Sequence, residues 1–252
     1  MAGWSTEQTL PARASAHQVR LQGVRAASNG KVFTLLLDAH RDCNLLPRVF
    51  RHIGGRVDKL GRIAAGQKWR AVAIGVGLAA LVCLAYGPAQ ALPLISDDYL
   101  HIWLARQYGP PEGWARLFAD PLYRCRAVSL VHAWLIDLWF GPTPIPFNLS
   151  SLFLHWGNCV LVAALGCWRL VGWRVSVPAA AFFAVHQGHQ EAVVWFAASP
   201  ELEVFAFLLG AILCWIMWLR PGSRKWPWYV GCFAAFLLAL ISKESGAILP
   251  AL

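Results

Sequence analysis

Two carboxylates stand side by side at Asp97 and Asp98, in LPLISDDYLHIW, directly after the first long apolar run. Such a pair at the edge of a bilayer can take a proton from a hydroxyl, or do no more than cap the helix that follows. A second group of reactive side chains lies in AVHQGHQEAVVWFAASPELE, residues 184–203, which holds His186, His189, Glu191, Glu201 and Glu203 around Trp195. His186 and His189 are three apart and share a helix face, so with Glu191 they offer ligands to a cation. The spacing departs from zinc signatures and no third strong ligand follows, so no metal and no other cofactor is assigned. Arg124 and Arg126, in DPLYRCRAVSL, suit a lipid phosphate through bidentate bonds or plain attachment to headgroups. Lys243 adds a point charge, and Glu244 beside it completes a simple interfacial pair.

These side chains need elements that bring them together. Of the 252 residues, 58% are hydrophobic and only 14% charged, against about 25% charged in soluble domains. Stretches without charge run over 71–96, 138–168, 175–190, 204–219 and 226–242, several of them near the lower limit of about 17 residues for a membrane crossing. Residues 127–140 (AVSLVHAWLIDLWF) decide the topology. If they cross, the positive-inside rule is reversed at every loop. If they lie along the outer interface, the basic tail, WRLVGWR (168–174) and LRPGSRK (219–225) are cytoplasmic, while SDDY, HQGHQE and SPELE are external. His132 and Asp137 within the segment also suit an interface better than lipid. The expected fold is all-α: a polytopic transmembrane bundle of about five spans, near 71–92, 147–168, 175–188, 203–219 and 226–242, with interfacial helices near 98–108 and 124–140.

The net charge of +9 is not spread evenly. Residues 1–70 hold 12 Lys/Arg against 4 Asp/Glu, whereas 71–252 hold 10 against 9. The first 70 residues therefore read as a basic, largely disordered cytoplasmic segment that fixes orientation, with an interfacial helix near 45–63. No aromatic stacking pattern accompanies the basic residues, so no nucleic-acid partner is expected. The seven cysteines form no CxxC pair, and five lie in apolar runs, where they act as small hydrophobes. The first apolar run is expected to be an uncleaved anchor. At the other end, SKESGAILPAL opens a further apolar segment, so more spans are expected beyond Leu252.

In order, the chain presents an apolar span, an acidic pair with Tyr, an Arg-bearing segment ending in WFG, PFNLSSLFLHWGN (146–158), AFFAVHQGHQEAVVWFAASPEL (181–202) and LLALISKESGAILP (237–250). This series resembles the GT-C superfamily of polytopic glycosyltransferases. The likeness is to its protein-mannosyltransferase-like branch, with the aminoarabinose transferases and the tetratricopeptide-containing membrane mannosyltransferases. Members read "WDDY", "YRP", "FHLxNLLLHxxN", "HPxHxEAVAW" and "SKE" in that order. Gln187 and Ala127 stand where the family often has Pro, and Ser199 and Glu201 where it has Arg and Asp. The resemblance covers about 71–252 and implies an external active site, and the topology by itself suggests a bacterial inner membrane with that site in the periplasm. It implies a polyprenyl-phosphate sugar donor, a protein, glycan or lipid acceptor, and inversion at the anomeric carbon without a metal. Asp97 or Asp98 would be the general base, and Arg124, Arg126 or Lys243 would hold the leaving phosphate. His186, His189, Glu191, Glu201 and Glu244 would complete the substrate site. A membrane scaffold that keeps the fold without the activity is the alternative, because Ser199 replaces the family's Arg.

Overall fold

The computed structural model describes residues 68–251 apart from Ser223, and all regular elements among them are helical. The basic segment as far as residue 67, including the helix expected near 45–63, lies outside the described residues.

The order is α1 (Lys68–Ala91), α2 (Ser96–Tyr108), α3 (Trp114–Ala119), α4 (Ala127–Phe140), α5 (Pro144–Ala164), α6 (Trp173–Val185), α7 (Gln190–Val194), α8 (Ser199–Leu219) and α9 (Lys225–Leu240). A 3-10 segment, Glu244–Ala251, follows. Local chemistry sets several boundaries. Pro144 and Pro200 occupy the first turns of α5 and α8, where a missing N–H costs nothing. Gly141 ends α4 at φ 68°, ψ −176°, a conformation essentially restricted to glycine.

Three helices are long and apolar enough to cross a membrane: Lys68–Ala91, Pro144–Cys167 and Phe196–Leu219, the first ending in the 3-10 stretch Gly87–Ala91 and the last two including the 3-10 turns that extend α5 and α8. Helices α6 and α9, with 13 and 16 residues, are shorter and span about 20–24 Å at 1.5 Å per residue. Of the five expected spans, three thus reach full length. At 14 residues, α4 is also short. Large apolar side chains face outward along the helices, among them Val72, Val76 and Leu84 on α1, Phe153 on α5, and Phe233 and Leu237 on α9. A band of that kind suits lipid rather than water.

Alternation of the long helices gathers the loops by charge. The end of α1, α2–α4, the start of α5, residues 186–198, the start of α8 and the end of α9 meet at one end of the bundle. They are held there by Tyr86 Oη donating to His186 O (2.8 Å), Ala197 N donating to Asp98 (2.8 Å) and Val128 N donating to Ile241 O (3.1 Å). The opposite end carries Arg169, Arg174, Arg220 and Arg224. SDDY, HQGHQE and SPELE therefore share one end and the basic turns the other, the grouping expected from charge.

Two cores fill the structure. One lies beneath α2–α4 around Leu117, Leu130, Phe147 and Phe196. The other joins α1, α5, α6 and α8, where Ala163, Ala180 and Ala184 let backbones approach closely. A polar stripe runs down α5 through Asn148, Ser151, His155 and Asn158, all buried. Asn148 donates to Gln90 O (3.1 Å) and Leu92 O (3.0 Å), and Asn158 donates to Leu202 O (2.9 Å). His155 Nε2 lies 3.3 Å from Ala184 O. The stripe in PFNLSSLFLHWGN thus ties α5 to its neighbours, since lipid offers polar groups no other partner.

Candidate functional site

The polar cavity of the acidic end measures about 470 Å³. Arg126, His189, Glu191, Trp195, Glu201 and Lys243 are in its wall. Arg126 comes from the 3-10 turn Arg124–Arg126 before α4, Glu191 from the first turn of α7, Glu201 from the first turn of α8, and Lys243 from the turn after α9. Four segments, spread over residues 126–243, thus supply two cations and two carboxylates. Lys243 forms an ion pair with Glu201, and Arg126 lies 4.0 Å from Glu244. Burial, reinforced by the nearby His186, holds the His189 imidazole below its ordinary pKa. The Trp195 Nε1 donor is buried without a partner.

This arrangement can bind an anion. Because Glu201 occupies Lys243, an incoming phosphate must compete with it. Glu201→Gln is therefore expected to tighten binding of inorganic phosphate about two- to five-fold, the worth of an exposed ion pair. Isothermal titration of both proteins checks this, and weaker binding by the variant would count against it.

Other expected site residues are placed elsewhere. Asp97 is exposed in the first turn of α2, outside the cavity wall. Asp98 is 3% exposed and faces inward. Its Oδ2 accepts from Ile95 N (2.8 Å), capping α2, and its Oδ1 accepts from Ala197 N (2.8 Å), pinning the segment that forms one cavity wall. His186 Nδ1 accepts from Gly188 N at 3.2 Å, a local turn contact, and Arg124 is exposed outside the cavity wall. Among the described residues, no three His, Cys, Asp or Glu converge on a metal position.

Burial raises the Asp98 pKa above the ordinary 3.8, the backbone bonds from Ile95 and Ala197 opposing it and Asp97 adding to it. A carboxyl raised on folding contributes stability that is present below its unfolded value and lost as pH rises through the folded one. Across the acidic range above 3.8, the melting temperature of the wild type is expected to fall relative to that of Asp98→Asn. Parallel pH profiles for the two proteins would contradict this.

Contacts that no sequence pattern announced also lie at this end. Glu203 Oε1 is 2.7 Å from His132 Nδ1, linking α8 to α4. Arg106 grips Asp137 through two bonds of 2.7 and 2.8 Å, linking α2 to α4. Burial lowers the His101 pKa to about 4, so this ring is neutral. The partners lie 31 and 71 residues apart; only the presence of charges inside apolar helices hinted at them.

An apolar groove of about 460 Å³ lies between α3 and α4, with Phe118, Val128, Val131, His132 and Leu135 in its wall. The same two segments serve both: Arg126 lines the cavity and Ala127 the groove, and Lys243 lines the cavity and Ile241 the groove. Comparison with family models, with curated proteins and with solved structures gave no match, so the reading of this site rests on its own residues.

Proposed function

We propose that this chain belongs to a membrane glycosyltransferase that moves a sugar from a polyprenyl-phosphate donor to a hydroxyl of a protein, glycan or lipid acceptor. On this reading the fold is GT-C-like, and α1, α5, α6, α8 and α9 are five spans, with α2 and α4 on the outer interface. The N-terminus is cytoplasmic, and the polar cavity opens on the periplasmic side of a bacterial inner membrane. The observation that supports it is that the segments carrying Arg126 and Lys243 line a polar cavity and, through Ala127 and Ile241, an apolar groove, which suits a phosphate-headed lipid.

In the proposed reaction the acceptor oxygen attacks the anomeric carbon from the face opposite the phosphate. The bond from that carbon to the phosphate oxygen breaks, and its electron pair leaves on the polyprenyl phosphate. Arg126 and Lys243 hold the growing charge. The acceptor proton passes to a carboxylate. Asp97 or Asp98 is the base implied by the family resemblance, but Glu191 is the carboxylate on the cavity wall without an ion pair among the described residues. We assign the base to Glu191 and a positioning role to Asp98.

The test is sugar transfer from a polyprenyl-phosphate donor by the full chain in nanodiscs. Arg126→Ala is expected to lower the rate on the order of 100-fold. An unchanged rate would remove the cavity from the reaction. One observation favours the scaffold alternative: Ser199, where the resembled family has Arg, is fully buried and offers no phosphate contact. A scaffold would show no transfer with the wild type either.

A further inference from the structure

Glu203 lies in the second turn of α8, is 3% exposed, and has one oxygen 2.7 Å from His132 Nδ1 on α4. Its other oxygen, Oε2, is buried with no partner. A carboxylate withdrawn from water inside an apolar helix is costly, and an apolar pair of similar volume is as stable or more so. What the pair supplies is therefore geometry rather than stability. Whichever partner carries the proton, the bond between Oε1 and Nδ1 fixes the direction of the ring. Phe196 backs the arrangement, its ring 6.1 Å from that of His132 and 5.7 Å from that of His101.

The helices joined in this way frame the polar cavity. Arg126 stands on the turn leading into α4, and Glu201, paired with Lys243, stands two residues before Glu203 on α8. A shift of α4 against α8 would thus move one cation relative to the other. The second ion pair on α4, Arg106–Asp137, ties it to α2 instead, and Val128 N donating to Ile241 O (3.1 Å) holds only its first turn to the end of α9, so His132 is the α4 side chain with a polar bond to α8 among the described residues.

We propose that His132 and Glu203 are positioning residues: their bond sets the separation of Arg126 from the Glu201–Lys243 pair, and with it the affinity for a phosphate-headed lipid. This rests on the donor-binding reading given above. The experiment measures binding of a short-chain polyprenyl monophosphate to the full chain in nanodiscs, with the ligand-free melting temperature recorded alongside. The double variant His132→Leu/Glu203→Leu removes both polar partners, leaves no orphan charge and makes the groove wall at His132 more apolar, a change that by itself favours the lipid chain. It is expected to keep or raise the melting temperature while binding about 10- to 100-fold more weakly, the penalty for ångström-scale misplacement. Glu203→Gln keeps both an acceptor and a donor for Nδ1 and is expected to bind within about three-fold of the wild type. Wild-type affinity in the double variant would overturn the proposal. So would a loss in Glu203→Gln as large as in the double variant, because charge rather than position would then matter. A wild type that does not bind the probe, or binding that survives Arg126→Ala, would sink the donor-site reading itself. Binding that falls in Arg126→Ala but holds in the double variant would sink only the positioning role.

Discussion

Glu191→Gln is expected to slow sugar transfer by about 10²- to 10⁴-fold, the contribution of a positioned general base, and to leave the melting temperature unchanged. The carboxylates at this end of the bundle do different jobs. Glu201 is tied to Lys243, Glu203 to His132, Asp137 to Arg106, and Asp98 to two backbone donors. Glu244 stands 4.0 Å from Arg126, outside the cavity wall. Glu191 is exposed in the first turn of α7, on the cavity wall, and makes no ion pair among the described residues. Gln preserves its volume and one acceptor oxygen but cannot take a proton, so a rate loss would report chemistry rather than shape. Single-turnover transfer with Glu191→Gln and Asp97→Asn in parallel is the measurement. Near-normal activity in Asp97→Asn accompanies the expected loss. The reverse pattern would return the base to Asp97.

Asp98→Ala is expected to destabilise the fold by about 3 kcal/mol, because it strands two backbone donors at a buried position, each costing roughly 1–3 kcal/mol. One of them, Ile95 N–H, opens α2; the other, Ala197 N–H, belongs to the segment between α7 and α8. Asp98→Asn keeps one acceptor oxygen and turns an amide N–H toward the remaining donor, so about half the loss is expected. Thermal or denaturant unfolding in detergent measures both variants. An Asp98→Ala protein as stable as the wild type would contradict the bond assignment. Transfer would decline in both variants in step with loss of structure, which sets Asp98 apart from Glu191.

The acidic pair therefore splits into an exposed residue and a buried one, a division invisible in SDDY. Adjacent residues on a helix point about 100° apart, and only the packing of α2 on Phe196 and its neighbours determined which of the two faced inward. The contacts of His186 were equally invisible: its Nδ1 accepts from Gly188 N on its own loop.

What the sequence determined by itself was the helical class and the partition of charge. Long uncharged runs leave the backbone no partner but its own helix in lipid, and one-sided loop charge groups the turns. Helices near 98–108 and 124–140 were legible too, because each carries charge that a lipid-facing span would exclude. The tertiary structure alone decided which side chains meet. Arg126, Glu191, Glu201 and Lys243 come from four segments, and their convergence depends on how α4, α8 and α9 pack. Helical periodicity fixes a residue's face on its own helix but carries no information about the helix opposite, so the cavity, its ion pairs and the His132–Glu203 bond appear only once those faces are docked.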